Sequence, residues 1–129
     1  MLYAAADSGD AAAERARSVL AGQSDLVISD HVLVEAWRLI RDRLGWDAAE
    51  RFWSGLRFGP AAVVPVELRD LDVAWQIGIA FPDQSFSLVD RTSFAVMERL
   101  GIAEVATFDD DFAIYRFGPR RERAFEIVR

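Results

Sequence analysis

Ser87-Leu88-Val89-Asp90, which opens a helix, and Glu104-Val105-Ala106-Thr107-Phe108-Asp109-Asp110-Asp111-Phe112, a short apolar strand that runs into acids, decide how this chain reads. The first stretch puts one carboxylate at a helix start. The second puts others at the carboxyl end of a strand, where ligands of open parallel sheets sit. An α/β protein builds an acidic, cation-binding pocket in this way.

On a wheel of about 100° per residue, Val89, Phe94, Val96, Met97 and Leu100 share one arc of the helix predicted for residues 88–100. Asp90 falls inside that arc, between Met97 and Phe94. A carboxylate on a buried face is costly unless it is paired or binds a cation. The competing reading is a capping box, since Ser-x-x-Asp before an apolar run is also a helix-start signature. The acids at 109–111 weigh against a purely local role. Asp109 alone satisfies an N-cap, whereas three successive acids repel one another, and the helix amino terminus offsets that repulsion only in part.

Glu35 is the third candidate, in Val32-Leu33-Val34-Glu35-Ala36-Trp37. Its helix carries an apolar arc of Val32, Leu33, Ala36, Trp37, Leu39, Ile40 and Leu44. Glu35 borders the arc beside Leu39, a position that solvated flank glutamates also occupy.

Around these stations the pattern alternates helices with short apolar strands, which favours a parallel sheet with helices on both faces. Asp10 is predicted to cap a helix over 10–20. A strand at 26–28 follows, and Asp30 caps the Glu35 helix, which stops near Gly45. Helices at 47–56 and 68–79 flank a strand at 63–66. A loop at 81–85 feeds the Asp90 helix, and a strand at 104–108 leads to Asp109. A short helix then ends around Gly118-Pro119, and an edge strand at 124–128 closes the chain. Among the helical aromatics Trp37, Trp46, Phe52, Trp53 and Trp75, most are expected in the core, with Trp46 and Trp53 lining one edge of a groove.

The 129 residues suit a single domain with a real core. The absence of cysteine excludes disulfides, thiol nucleophiles and zinc ribbons. His31 is alone, so no multi-histidine site exists. All 15 basic residues are arginine, which excludes a P-loop and a Schiff base. What remains is oxygen ligation, which selects hard cations such as Mg²⁺ or Mn²⁺. A net charge of −6 argues against a generic nucleic-acid binder but not against a nuclease, whose acids meet cations first. Arg91 lies beside the predicted site. Arg116, Arg120, Arg121 and Arg123 gather near the carboxyl terminus, as phosphate contacts or as solvated surface. No apolar run reaches the roughly 18 to 20 residues of a membrane span and no leader is evident, so a cytoplasmic protein is expected, with no membrane partner.

Taken together, the segments resemble the PIN-domain ribonucleases, and most closely the VapC toxins of bacterial toxin-antitoxin pairs. The resemblance covers nearly the whole chain. It runs through Leu2-Tyr3-Ala4-Ala5-Ala6-Asp7-Ser8-Gly9-Asp10, Val34-Glu35-Ala36, the Ser85 to Asp90 signature, and the Leu-Gly-Ile…Thr-Phe-Asp-x-x-Phe signature between Leu100 and Phe112. The last two, in this order, are its specific part. The resemblance implies a PIN-like three-layer α/β/α fold over 1–129, with a parallel sheet of order 3-2-1-4-5. It implies that Glu35, Asp90 and Asp109 hold Mg²⁺ or Mn²⁺, with Asp111 as an outer helper, and that their carboxylates approach within about 8 Å of one another. It also implies an RNA substrate, a VapB-like antitoxin and a homodimer. The family's fourth acid lies on the first strand, just before Leu-Tyr-Ala. That strand and its aspartate are therefore expected to be absent here, with the native start roughly 8 to 10 residues upstream.

The resulting expectation is an endoribonuclease toxin that cleaves structured RNA by metal-activated water. A non-catalytic PIN-like module that binds an antitoxin or RNA is the rival reading. A metal-dependent phosphatase would need an Asp-x-Asp-x-Thr/Val motif, which is absent.

Overall fold

Ser29 ends one element and starts the next. It is the last residue of β1 (Val27–Ser29) and the N-cap of α1 (Asp30–Leu44), where its Oγ accepts a hydrogen bond from the Val32 N–H at 3.2 Å. Asp30, predicted as the cap, is instead the first helical residue, an acid beside the positive helix end. Gly45, at φ 97°, both terminates α1 and caps α2 (Trp46–Phe58). Side-chain-bearing residues rarely adopt that backbone conformation, which explains why the turn between the two helices can be a single residue. The computed structural model describes residues 26–106 and 111–128, in two units, Met1–Pro65 with Arg129 and Val66–Val128. The helix predicted over 10–20 lies outside the described residues.

In the first unit α1 packs on α2 and on the sheet. The sheet pairs β1 in parallel with β2 (Ala62–Val64), Val27 opposite Ala62 and Ser29 opposite Val64. The strand predicted at 63–66 stops at Val64 because Pro65 has no N–H for a ladder. Leu33, Ala36 and Ile40 of α1 and Ala49 of α2 are buried.

The second unit opens with α3 (Leu68–Ala80), started by a capping box in which Glu67 and Asp70 each accept from the other's backbone N–H. Next comes α4 (Leu88–Leu100), with Ser87 as N-cap and Gly101 as a left-handed C-cap, φ 68°. The Gly101 and Ile102 N–H groups close the last turn onto the Glu98 and Met97 carbonyls. Strand β3 (Glu104–Ala106), α5 (Asp111–Ile114) and β4 (Glu126–Val128) complete the unit, and β3 pairs in parallel with β4.

Among the described residues there are thus two parallel pairs, β1 with β2 and β3 with β4.

The core of the second unit is aromatic. Phe86, Phe94, Phe112, Tyr115, Phe117 and Phe125 are all buried, with Ile77 and Met97 among them. Phe94 and Tyr115 stack at 4.3 Å and 4° between planes, and Phe86 meets Phe94 edge-on at 5.2 Å. Helix α4 runs through this cluster buried on every side from Thr92 to Met97, not along a single arc as its apolar pattern suggested. Leu100, assigned to that arc, is exposed. The expectation for the helical aromatics is also corrected. Trp37 and Phe52 are half-buried, while Trp46, Trp53 and Trp75 are exposed, Trp46 at 60 %.

Candidate metal centre

Asp90 occupies the third position of α4, half-buried. Its backbone N–H donates to Ser87 Oγ at 3.0 Å, so the serine half of the expected capping box is formed. The same turn is held on its other sides. Thr92 Oγ1 donates to the Val89 carbonyl at 2.9 Å, and an Arg91 guanidinium N–H donates to the Ala74 carbonyl of α3 at 3.2 Å. The Arg91 head fits there because residue 78 is glycine. A Cβ at that position would lie 2.3 Å from the guanidinium nitrogen. Arg91 is therefore a brace between α3 and the first turn of α4, and its buried Nε has no hydrogen-bond partner among the described residues.

Asp111 opens α5, half-buried, and the helix is anchored by Phe112 and then Tyr115 in the aromatic core. Asp90 and Asp111 thus each stand at a helix amino terminus of the second unit, where the helix field favours a carboxylate. Glu35 stands exposed on α1 of the first unit. Asp109 and Asp110 lie outside the described residues, and among the described residues no three acids or histidines are gathered closely enough to hold a metal ion. The donor set implied by the motifs is all carboxylate, a chemistry that fits a hard divalent cation.

Two further acids are tied to arginines or phenols. Asp70, 2 % exposed, receives Arg99 in a fork, Nε at 2.9 Å and Nη2 at 2.9 Å, with Glu67 3.5 Å from the same guanidinium. Burial pushes the Asp70 carboxyl up, but the Arg99 and Glu67 N–H hydrogen bonds and the charges of Arg99 and Arg69 outweigh it. The net result lies below the ordinary aspartate value. The Tyr115 hydroxyl donates to Glu98 Oε1 at 2.7 Å, and burial together with this carboxylate drives the phenol well above its ordinary value. Neither pair was singled out from the sequence. Glu67-x-x-Asp70 is a readable capping box, but nothing local links Asp70 to Arg99, which is twenty-nine residues away.

A capped aspartate at one helix start, and a short parallel strand feeding a second acidic helix start, are what the PIN fold provides. The PIN domain model matches residues 1–118, and the chain belongs to that family. It is similar to the 23S rRNA-specific endonuclease VapC20 of Mycobacterium tuberculosis. In strains CDC 1551 / Oshkosh and ATCC 25618 / H37Rv alike it is 34 % identical over 113 residues, 86 % of each chain. Among solved structures it is similar to the crystal structure of M. tuberculosis VapC20, a sarcin-ricin loop cleaving toxin. That match has a TM-score of 0.82 and 32 % identity and covers 88 % of each chain. The family and fold expected from the two signatures are therefore those of the protein.

Proposed function

We infer that this protein is a metal-dependent endoribonuclease toxin of the VapC type that cleaves structured RNA, with the sarcin-ricin loop of 23S rRNA as the substrate class. The observation that carries the reading is 34 % identity to a 23S rRNA-specific endonuclease over 86 % of both chains. The PIN match across 1–118 spans both structural units and supports one functional domain over 1–129. No helix among the described residues is long and apolar enough to cross a membrane; a cytoplasmic site of action follows from the proposed rRNA substrate.

Glu35, Asp90 and Asp109 are assigned as the carboxylates that hold Mg²⁺ or Mn²⁺, with Asp111 as their outer helper. When bound, such an ion acidifies a water and stabilises the leaving oxygen. The chain's own part is to hold its acids in place. Ser87 fixes the turn that carries Asp90, and the Arg91 brace pins that turn to α3. No side-chain nucleophile is required. A VapB-like antitoxin and a homodimer are the assigned partners.

The test is cleavage of a sarcin-ricin loop RNA hairpin with Mn²⁺ by wild type, Asp90→Asn and Glu35→Gln. Groups one shell out from a metal already cost about 10- to 100-fold when removed. Loss of a direct ligand should therefore cost at least about 100-fold, with an unchanged thermal transition. Wild type that binds the hairpin and never cuts it would replace the nuclease reading with the non-catalytic module.

A further inference from the structure

Positive charge is concentrated in one turn of a chain whose net charge is −6. Residues 116–123 read Arg-Phe-Gly-Pro-Arg-Arg-Glu-Arg. Among the described residues, none of Arg116, Arg120, Arg121 and Arg123 enters an ion pair, while Arg41, Arg69 and Arg99 elsewhere do. Four arginines without carboxylates, in a protein with an excess of acids, are not explained by charge pairing within the fold.

The turn is rigid. Phe117 and Arg123 exchange backbone hydrogen bonds at 2.8 and 3.2 Å, and the Arg121 N–H closes onto the Gly118 carbonyl at 3.1 Å. Arg116 is used internally, its guanidinium donating to the Ile114 and Tyr115 carbonyls at the end of α5. The other three are exposed. The Arg121 guanidinium carbon lies 5.2 Å from the Phe81 ring centroid and that of Arg123 5.0 Å from the Phe117 centroid, and an Arg121 guanidinium N–H also reaches the Tyr115 hydroxyl and the Arg116 carbonyl, each at the long distance of 3.5 Å. Arg121 holds this pose at φ 49°, a left-handed conformation that a β-carbon disfavours and that glycine adopts freely. Backbone strain of this kind concentrates where a side chain is needed in one place.

We propose that the 116–123 turn is a docking surface for the phosphate backbone of RNA, with Arg120, Arg121 and Arg123 as its contact residues. The identity of the polyanion rests on the nuclease reading above. A protein of net charge −6 repels RNA at long range, so it binds RNA only where it presents a local positive surface. Guanidinium groups match phosphate through two parallel N–H donors, and their open faces stack on unpaired bases. A peptide carboxylate would use the edge alone. The turn also follows directly on α5, the helix that Asp111 opens and Arg116 closes, which joins the docking surface to the acidic station through a single short helix.

The experiment is fluorescence anisotropy of a labelled sarcin-ricin loop hairpin against salt concentration, in EDTA so that nothing is cut. It compares wild type with Arg121→Gly, with Arg120→Gln/Arg121→Gly and with the remote control Arg51→Gln. Glycine suits the left-handed position, so Arg121→Gly removes the head without forcing the backbone, and its unfolding curve checks that the fold persists. Removing one phosphate-binding guanidinium should lower the slope of log K against log salt by about 0.7 to 0.9 and weaken binding roughly fivefold near 0.15 M. The control should match wild type. Unchanged slope and affinity in the double variant would overturn the proposal. So would weakened poly-glutamate binding with RNA binding intact, which would assign the turn to an acidic protein. Arginine-dependent binding by a wild type that fails to cleave with Mn²⁺ would uphold the docking surface and remove only the nuclease reading.

Discussion

Asp70 has its carboxylate almost wholly out of water and its charge answered by one guanidinium fork. Removing one member of a buried ion pair typically costs about 3 to 5 kcal/mol, because the other is left uncompensated. Arg99 keeps 17 % of its side chain exposed, so Asp70→Asn belongs near about 3 kcal/mol, read by urea denaturation. Because the folded pKa lies below the ordinary value, the pair's contribution is complete above the unfolded aspartate value of about 3.9. It is lost as pH falls through the lowered folded value. Wild type should therefore lose stability between about pH 5 and acid conditions along a steeper course than Asp70→Asn. Equal slopes would show that another carboxylate carries the acid sensitivity. For Tyr115, removal of the hydroxyl as Tyr115→Phe deletes the bond to Glu98 and should cost about 1 kcal/mol, with the stacking on Phe94 kept. At this scale the sequence was informative about Asp90, whose place at a capped helix start followed from Ser87 alone. It was silent about Asp70, because a partner twenty-nine residues away is a property of packing and leaves no local pattern.

Helix α4 is the element on which the second unit depends. Phe94→Ala would remove the ring that meets Phe86, Phe112 and Tyr115 at 4.3 to 5.2 Å, and large-to-small changes of this kind cost about 3 to 5 kcal/mol. Trp46→Ala and Trp53→Ala, on exposed positions of α2, should stay within about 0.5 kcal/mol in the same denaturation assay. This contrast marks where sequence reasoning failed. Periodicity placed every described helix to within a few residues, since the starts at Ser87 and Gly45 and the stops at Gly45 and Gly101 are written in local chemistry. It could not rank the apolar faces. Trp46 and Trp53 are exposed, as a groove edge would be, but Trp37 and Phe52 looked like core and are only half-buried, and α1 and α2 bury mainly Leu33, Ala36, Ile40 and Ala49. The aromatics that do pack, at 112, 115, 117 and 125, come from short segments too brief to show any period.

For the whole molecule, the PIN match over 1–118 takes in residues of both units. A toxin is kept harmless by its antitoxin, so expression alone should arrest growth, and co-expression with a cognate antitoxin should restore growth and yield a copurifying complex. Unimpaired growth with an active-site-intact chain, together with a freely soluble product that brings nothing down with it, would count against the toxin assignment. The signatures at 85–90 and 100–112 made the family legible. The proposal that Glu35, Asp90 and Asp109 share a cation comes from those signatures alone, because acids on separate elements leave no local pattern of their meeting.

The burial of α4 from Thr92 to Met97 on every side also sets a clock. An amide in an exposed helix exchanges its hydrogen with solvent whenever a local fluctuation opens it, but a helix with no outer face has no such small opening available. Deuterium should therefore enter 92–97 only as fast as the surrounding unit unfolds outright, while α1 and α2 fill early from their exposed sides. The protection of those six residues would then measure the global stability of the unit directly, without denaturant and without a probe.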